Sequence, residues 1–340
     1  MTANGTIRVG VIGAGRIGKI HARNLATCIP GARVTVIADP IETAACELAE
    51  QLHVSRATAD YREVINSAEV DAVAICSSTN THAQMMIEAA RAGKHIFCEK
   101  PIAYDLAKID EALGEVEKAG VLLQIGFNRR FYPNFKKVHD MIAEGKIGEP
   151  HILRITSRDP APPPIEYVKV SGGIFFDMTI HDFDMARYLM GSDVEEIYAA
   201  GGVLVDPLIG EAGDIDTAVV TLRFKNGAIG TIDNSRKAVY GYDQRVEAFG
   251  SGGVVLTQNE TPDRHVYGNG EGMHAAKPLY FFLERYAQSF VDELAVFVDC
   301  VRKGSCPPVT GIDGRIPVAM AMAATKSVKE GRPVKLSEVE

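Results

Sequence analysis

Five apolar runs in the first third of the chain, Ile7–Ile12, Arg33–Ala38, Asp71–Cys76, His95–Cys98 and Val121–Gly126, alternate with amphipathic stretches near Ile17–Cys28, Glu42–Leu52, Ala83–Ala92 and Leu106–Ala119. A nearly continuous apolar run suits a parallel strand whose two faces are both covered, because a strand with one wet face alternates instead. Strand and helix in repeated alternation specify a doubly wound parallel α/β sheet of the Rossmann kind.

After Gly126 the grammar changes. A helical pattern near Asn134–Glu144 leads to a strand near His151–Ser157 and then to a proline-rich loop, Asp159–Pro164. Between Asp216 and Phe224, the residues Ala218, Val220, Leu222 and Phe224 alternate with more polar neighbours, which marks an antiparallel strand buried on one side. Asn226-Gly227 is a strong hairpin signal, with Ala228–Asp233 returning, and Arg245–Phe249, Gly250–Gly253 and Val254–Leu256 suggest a second hairpin. Long helices are expected near Leu279–Arg302 and Asp313–Lys329. At 340 residues the chain exceeds the roughly 250–300 at which a single core stops growing. The division expected is a Rossmann domain over residues 1–125 and an α+β domain over 126–340 built on a large, mainly antiparallel open sheet.

The formal charge of −8 and the lack of a basic run argue against a nucleic-acid partner, which needs a clustered basic surface. The longest weakly polar run, Ile316–Ala324, is far short of the roughly 18 apolar residues of a membrane helix. Cys28, Cys46, Cys76, Cys98, Cys300 and Cys306 are scattered, without the close spacing of a zinc ribbon or a redox pair, and read as structural filler. With no charged leader and apolar core at the N-terminus, a reducing cytoplasm is the expected compartment.

Gly13-Ala14-Gly15-Arg16-Ile17-Gly18 is a GxGxxG immediately after an apolar strand and at the start of a helix. The first glycine permits the tight turn, the second lets backbone approach a pyrophosphate, and the third lets helix and strand pack closely. The helix N-terminus offers N–H groups and a positive dipole end to phosphate. Asp39 ends the second run, where a carboxylate accepts from the adenosine ribose hydroxyls. It would also repel a 2′-phosphate, and Pro40-Ile41 supplies no arginine to counter it, so NAD is expected rather than NADP.

Glu99-Lys100-Pro101 follows the strand ending at Cys98, at the carboxyl edge where open α/β sheets bind ligands. A lysine there can hold positive charge near a developing alkoxide. An X-Pro bond after a strand often fixes a special turn, cis included. In Gly172-Gly173-Ile174-Phe175-Phe176-Asp177-Met178-Thr179-Ile180-His181-Asp182, Asp177 and His181 are four apart in a helical pattern and share one face. Histidine suits general-base work because it titrates near neutrality. A buried histidine satisfied by an aspartate reads from the same residues, whereas two ligands without a nearby third make a poor metal centre, and no metal is expected.

Together these motifs resemble the glucose-fructose oxidoreductase and inositol dehydrogenase family over nearly the whole chain. Four further segments are similar to the inositol 2-dehydrogenase branch: Gly126-Phe127-Asn128-Arg129-Arg130-Phe131, Ser157-Arg158-Asp159-Pro160-Ala161-Pro162, Tyr240-Gly241-Tyr242-Asp243 and Phe281-Phe282-Leu283-Glu284-Arg285-Tyr286. The resemblance implies that Lys100 contacts substrate hydroxyl and cofactor, that His181 takes the hydroxyl proton as hydride leaves, and that Asp177 orients and polarises the site. Arg129, Asp159 and Tyr242 would hydrogen-bond the remaining hydroxyls of a polyol ring. Thr79, Asn80 and His82 would lie beside the cofactor, with Gly13, Gly15, Arg16, Ile17, Gly18, Asp39, Glu99 and Lys100; a plain helix-start role for His82 stays open. The resemblance also implies a homo-oligomer, dimer or tetramer, assembled through the sheet domain.

The expected reaction is oxidation of myo-inositol at C2 by NAD, in inositol catabolism, with another cyclic polyol or sugar (scyllo-inositol, chiro-inositol, an aldose) as the neighbouring possibility. A non-catalytic NAD-binding sensor would lack the lysine or the histidine, and both are present. An NAD-recycling glycoside hydrolase on the same fold would release no free NADH.

Overall fold

The computed structural model describes residues 5–340, which form two compact units. The first runs to Phe131 and takes back Gln288–Val318; the second comprises Tyr132–Ala287 and Ala319–Glu340.

The first unit is built on strands β1 (Ile7–Ile12), β2 (Ala32–Ala38), β3 (Ala57–Thr58), β4 (Ala72–Ile75), β5 (His95–Glu99) and β6 (Leu123–Gly126), with helices α1 (Arg16–Thr27), α2 (Glu42–Gln51), α3 (Tyr61–Ile65), α4 (Thr79–Arg91) and α5 (Leu106–Ala119) between them. All pairings are parallel, in the order β3-β2-β1-β4-β5-β6. The order reverses beside β1, and that switch point is where an open sheet of this kind binds its ligand. Short β3 and α3 escaped the sequence reading because neither is long enough to show a period. Helix α5 shows how the local sequence sets the boundaries: Asp105 accepts a hydrogen bond from the Lys108 N–H at one end, and Gly120 takes a left-handed turn at the other.

The second unit holds α6 (Pro133–Ala143), β7 (Pro150–Arg158), α7 (Ile165–Val168), α8 (Ile180–Met190), β8 (Val194–Gly202), α9 (Pro207–Glu211), β9 (Thr217–Phe224), β10 (Ile229–Ser235), β11 (Asp243–Gly250), β12 (Gly253–Leu256), the small hairpin β13 (Val266–Asn269) and β14 (Gly272–Ala275), and α10 (Phe282–Arg285). Helices α11 (Ala287–Lys303) and α12 (Gly311–Glu330) and strand β15 (Val334–Lys335) complete the chain. The open sheet runs β12-β11-β7-β10-β9-β8-β15 and is antiparallel except for β7 beside β10. Its inner face carries Leu153, Ile155, Val220, Leu222, Ile232 and Ala248, all buried, and α8 packs on that side against β7.

Two expectations differ from the structure. The helix expected over Leu279–Arg302 is two helices broken at Tyr286. There the Tyr286 ring turns in against Tyr132 and Tyr242, at centroid distances of 5.2 and 6.0 Å, while the Arg285 guanidinium donates to Asn259 Oδ1 and the Gln244 carbonyl. Strand β8 went unread because its pairing slips between Val194 and Glu196, which scrambles the alternation.

Buried residues on the returning segment, Leu294, Phe297, Val298 and Val301 of α11, join Val9 and Val11 of β1, Leu25 of α1 and Phe97 of β5 in one apolar cluster. Helix α11 is therefore part of the Rossmann core, although it is separated from the rest of that core by the whole sheet domain.

Candidate active site

Each candidate residue of the first unit lies where a parallel strand ends. Gly13 follows β1 with φ of 107°, a conformation open to glycine, and its N–H donates to the Ala38 carbonyl at 2.7 Å. A Cβ on Gly18 would overlap the Gly13 carbonyl, whereas one on Gly15 meets nothing within 4 Å. The third glycine thus closes helix onto strand, and the second leaves open backbone at the N-cap of the 12-residue α1, which no side chain caps. Asp39 lies just beyond β2 and reaches across the turn. Its Oδ2 accepts the Ala14 N–H at 2.7 Å and its Oδ1 the Ile41 N–H at 2.8 Å. A carboxylate has about four acceptor positions, so two remain for a diol. An open glycine backbone, an uncapped helix start and a carboxylate with spare acceptors fit the pyrophosphate and ribose of NAD.

Thr79 and Asn80 open α4 beyond β4. His82, 1% exposed, sits behind them, with Nδ1 2.9 Å from the Pro101 carbonyl and Nε2 2.9 Å from the Ser77 carbonyl. Both neighbours are acceptors and a neutral ring donates only once. Burial draws the imidazole toward neutrality, so the proton serves one carbonyl at a time. His82 therefore ties the β4 loop to the turn holding Lys100, whose peptide bond to Pro101 is cis. Arg129, in the 3-10 turn Asn128–Phe131 after β6, is buried.

Beneath Lys100 is a polar cluster that the sequence reading passed over. Glu99 Oε1 lies 2.6 Å from His21 Nε2 on α1, and Glu293 Oε1 of α11 lies 4.0 Å from the same nitrogen. Glu293 is fully buried, and neither of its carboxyl oxygens has a hydrogen-bond partner among the described residues. Burial, reinforced by the nearby Glu99 charge, pushes its carboxyl well above the usual range. His21 and Glu293 gave no sequence signal because both stand in ordinary amphipathic helices.

In the second unit Asp177 and His181 lie where a π-helical turn, Phe175–Thr179, runs into α8. The wider π turn keeps residues four and five apart on one side, and such turns recur at functional sites. The Asp177 carboxylate is held from two directions: Tyr167 Oη donates to Oδ1 at 2.8 Å and Arg236 Nη1 to Oδ2 at 2.8 Å. Asp159, just past β7, lies 3.8 Å from the same Nη1. Its backbone is fixed by Asp159 N–H to the Ser235 carbonyl and Ala238 N–H to the Asp159 carbonyl, at 2.9 and 2.6 Å. Tyr242 is buried at the start of β11, beside Tyr286. Below α8, Asn234 of β10 accepts from Thr179 at 2.6 Å and donates to Asp182 at 2.9 Å, fixing the helix to the sheet. Within this unit, Arg236 thus brings Asp177 and Asp159 onto one guanidinium. Sequence reasoning missed Arg236 and Tyr167, since a lone arginine beyond a strand and a tyrosine in a four-residue helix both look like surface.

All six cysteines are free thiols, and burial pushes Cys76 and Cys98 up in pKa, away from the reactive thiolate. No helix among the described residues is long and apolar enough to cross a membrane.

Comparison with known proteins agrees with this geometry. Residues 7–127 match the oxidoreductase family with an NAD-binding Rossmann fold, and residues 135–256 match the GFO/IDH/MocA C-terminal domain. A myo-inositol 2-dehydrogenase of Thermotoga maritima is 54% identical over 98% of this chain and 99% of its own. An inositol 2-dehydrogenase of Rhizobium meliloti is 43% identical over 98% of this chain and 100% of its own. The crystal structure of a probable dehydrogenase from Thermotoga maritima superposes with a TM-score of 0.96 at 54% identity, covering 98% of this chain and 100% of that one. With a Rossmann unit, a mixed open-sheet unit and near full-length similarity, the chain belongs to the GFO/IDH/MocA family of NAD-dependent oxidoreductases.

Proposed function

We propose that this protein oxidises the C2 hydroxyl of myo-inositol to the 2-keto-inositol, scyllo-inosose, with NAD as acceptor. The observation that carries the reading is the 54% identity, over nearly the full length of both chains, to a myo-inositol 2-dehydrogenase. The chemistry-bearing residues support it: a lysine at the carboxyl edge of one sheet, and an aspartate and a histidine on one turn of the other unit. Oxidising a secondary alcohol removes a proton and a hydride, with alkoxide character between. NAD, when bound, supplies the ring that accepts the hydride. His181 takes the hydroxyl proton, Lys100 holds positive charge beside the forming alkoxide, and Asp177 orients and polarises the site. Arg129, Asp159 and Tyr242 hydrogen-bond the other ring hydroxyls. Gly13, Gly15, Arg16, Ile17, Gly18 and Asp39 hold pyrophosphate and ribose, with Thr79, Asn80, His82 and Glu99 along the same edge.

In this reading residues 1–125 bind NAD, while 126–340 bind substrate and mediate assembly, with the returning α11 buttressing the cofactor sheet. The outer face of the open sheet exposes Ile152, Tyr198, Val219, Ile229, Phe249, Val254 and Leu256, an apolar surface that suits a dimer or a tetramer packed sheet to sheet. A cytoplasmic enzyme of inositol catabolism accords with six free thiols and with oxidation by NAD.

The test is NADH formation by purified protein at mildly alkaline pH, with myo-inositol, scyllo-inositol, chiro-inositol and glucose supplied separately. The highest kcat/KM is expected with myo-inositol. A preference for another member of the panel would move the substrate assignment, and NAD binding without turnover on any of them would overturn the dehydrogenase reading.

A further inference from the structure

We infer that Arg236 is a positioning residue that fixes the Asp177 and Asp159 carboxylates relative to one another and so sets the polyol stereochemistry the protein accepts. This rests on the dehydrogenase reading above.

Arg236 follows directly on β10, and its N–H donates to the Asp216 carbonyl at 2.8 Å, so its backbone is anchored to the sheet. Its side chain is only 2% exposed. A guanidinium taken that far from water is tolerated only when carboxylates surround it. Three do. Nη1 bonds Asp177 Oδ2 at 2.8 Å and lies 3.8 Å from Asp159 Oδ2, and Asp214 adds its charge from the side. Burial works against the positive charge, and Asp177 and Asp159 more than offset it, so the group stays a cation. Asp214 is itself tied down, its Oδ1 accepting the Ile174 N–H at 3.0 Å beside Gly173.

This arrangement serves stability poorly. Nε and Nη2 of Arg236 are buried without a hydrogen-bond partner among the described residues, although a guanidinium has five N–H donors to place. Buried ion pairs are weak contributors to folding, and apolar residues of similar size often do as well. The group makes sense as a ruler. One planar cation grips a carboxylate from the π turn and a second from the end of β7, two elements otherwise joined through Asn234 and the sheet. The same short connection, running from Arg236 to Tyr242, also clamps the Asp159 carbonyl through Ala238. Two expected hydroxyl-binding side chains, Asp159 and Tyr242, and the orienting Asp177 thus take their spacing from one segment. Inositol stereoisomers differ only in which ring hydroxyls are axial, so the separation of two fixed acceptors is a property able to discriminate among them.

Arg236→Lys tests the inference because it keeps the charge, and with it the fold, while losing the planar fork. Arg236→Met is the second variant and removes the charge as well. Two readouts are needed. The crystal structure of Arg236→Lys should show the Asp177 carboxylate displaced from Tyr167 or from Asp159; an unchanged pair overturns the positioning role whether or not the protein turns over any inositol. In kinetics, Arg236→Lys should raise KM for the preferred inositol by about tenfold or more and lower kcat as well, because displacing Asp177 disturbs the chemical step while displacing Asp159 disturbs binding, and the preference between myo- and scyllo-inositol should shrink. Arg236→Met, if folded, should lose the preference further. A wild-type KM and an unaltered preference in Arg236→Lys would refute the specificity role. Failure of the parent reading looks different: wild-type protein itself would then oxidise none of the inositols, and the crystallographic readout would still decide the positioning claim.

Discussion

In the proposed reading Asp39 serves both the Gly-rich turn and the cofactor ribose, and two assays on one substitution separate these roles. Its carboxylate accepts the Ala14 N–H at 2.7 Å and the Ile41 N–H at 2.8 Å, and those two amides differ in what they lose. Ala14 is 3% exposed, so in Asp39→Ala its N–H is left without water or acceptor, at a cost of about 1–3 kcal/mol. Ile41 is 65% exposed, and water replaces the lost bond there at little cost. At roughly 2–4 °C per kcal/mol for a folding unit of about 150–250 residues, such as the first unit, the cofactor-free protein should melt several degrees lower. Cofactor binding loses a second quantity. Hydrogen bonds from ribose hydroxyls to a charged acceptor contribute about 1.5–3 kcal/mol each, so losing even one weakens NAD by roughly 10- to 100-fold. NADP gains from the same change, because the carboxylate that repels its 2′-phosphate is gone. Differential scanning fluorimetry of the cofactor-free variant measures the first effect, and calorimetric titration with NAD and NADP the second. An unchanged melting temperature would refute the account of the Gly-rich turn, and equal losses for both cofactors would refute the ribose role. Asp39→Asn, which keeps one oxygen, should fall between on both measurements.

The glycines give a complementary contrast. Gly15→Ala meets nothing within 4 Å, so it should leave the melting temperature intact and weaken NAD by roughly tenfold or more, since the added methyl occupies the approach to pyrophosphate, whereas Gly18→Ala should destabilise the fold itself, because its methyl overlaps the Gly13 carbonyl. Lys100→Ala and His181→Ala should each lower turnover by roughly 10²-fold or more in a stopped assay of NADH, and near-normal turnover in both would remove the proposed chemistry. Glu293 has a folded-state pKa raised above its unfolded value, so its contribution to stability is intact below the unfolded pKa and is lost as pH rises through the folded one. Glu293→Gln should therefore melt higher than wild type at pH 8 by a few degrees and show little advantage near pH 4; a constant difference across that range would contradict a buried neutral carboxyl.

What the sequence disclosed depended on range. Parallel strands announce themselves by unbroken apolar runs, and the Gly-rich turn falls at the start of α1 because the motif is itself a local structure. Asp177 and His181 were visible as a pair for the same reason, four residues apart on one helical segment, although the π turn beneath them was not. The order of the open sheet was illegible. Nothing in the residues of β7 shows that its partners are β10 and β11, since pairing is decided by which buried faces meet. Helix α11 has an apolar stripe that says something is covered, without naming β1, α1 and β5 as what it covers. Arg236 is the sharpest case: the carboxylates it pairs with, Asp177 and Asp159, are up to 77 positions away in the chain, and Arg158 and Ser235 are brought into register across β7 and β10 only by folding.

The return of Gln288–Val318 to the first unit has a consequence for synthesis. The ribosome delivers the six parallel strands long before it delivers α11, with roughly 150 residues of the sheet domain between. At about 5–20 residues per second, the nascent Rossmann sheet waits on the order of 10–30 s with the seat for Leu294, Phe297, Val298 and Val301 uncovered. A Rossmann sheet that pairs before α11 emerges would leave an apolar groove beside Leu25 and Phe97 uncovered while the second unit is translated. A holdase that shields this groove, or a pause in translation before residue 288, would govern how much of the protein reaches its finished form, and a stalled chain ending short of α11 is the species to trap and probe with a dye for exposed apolar surface.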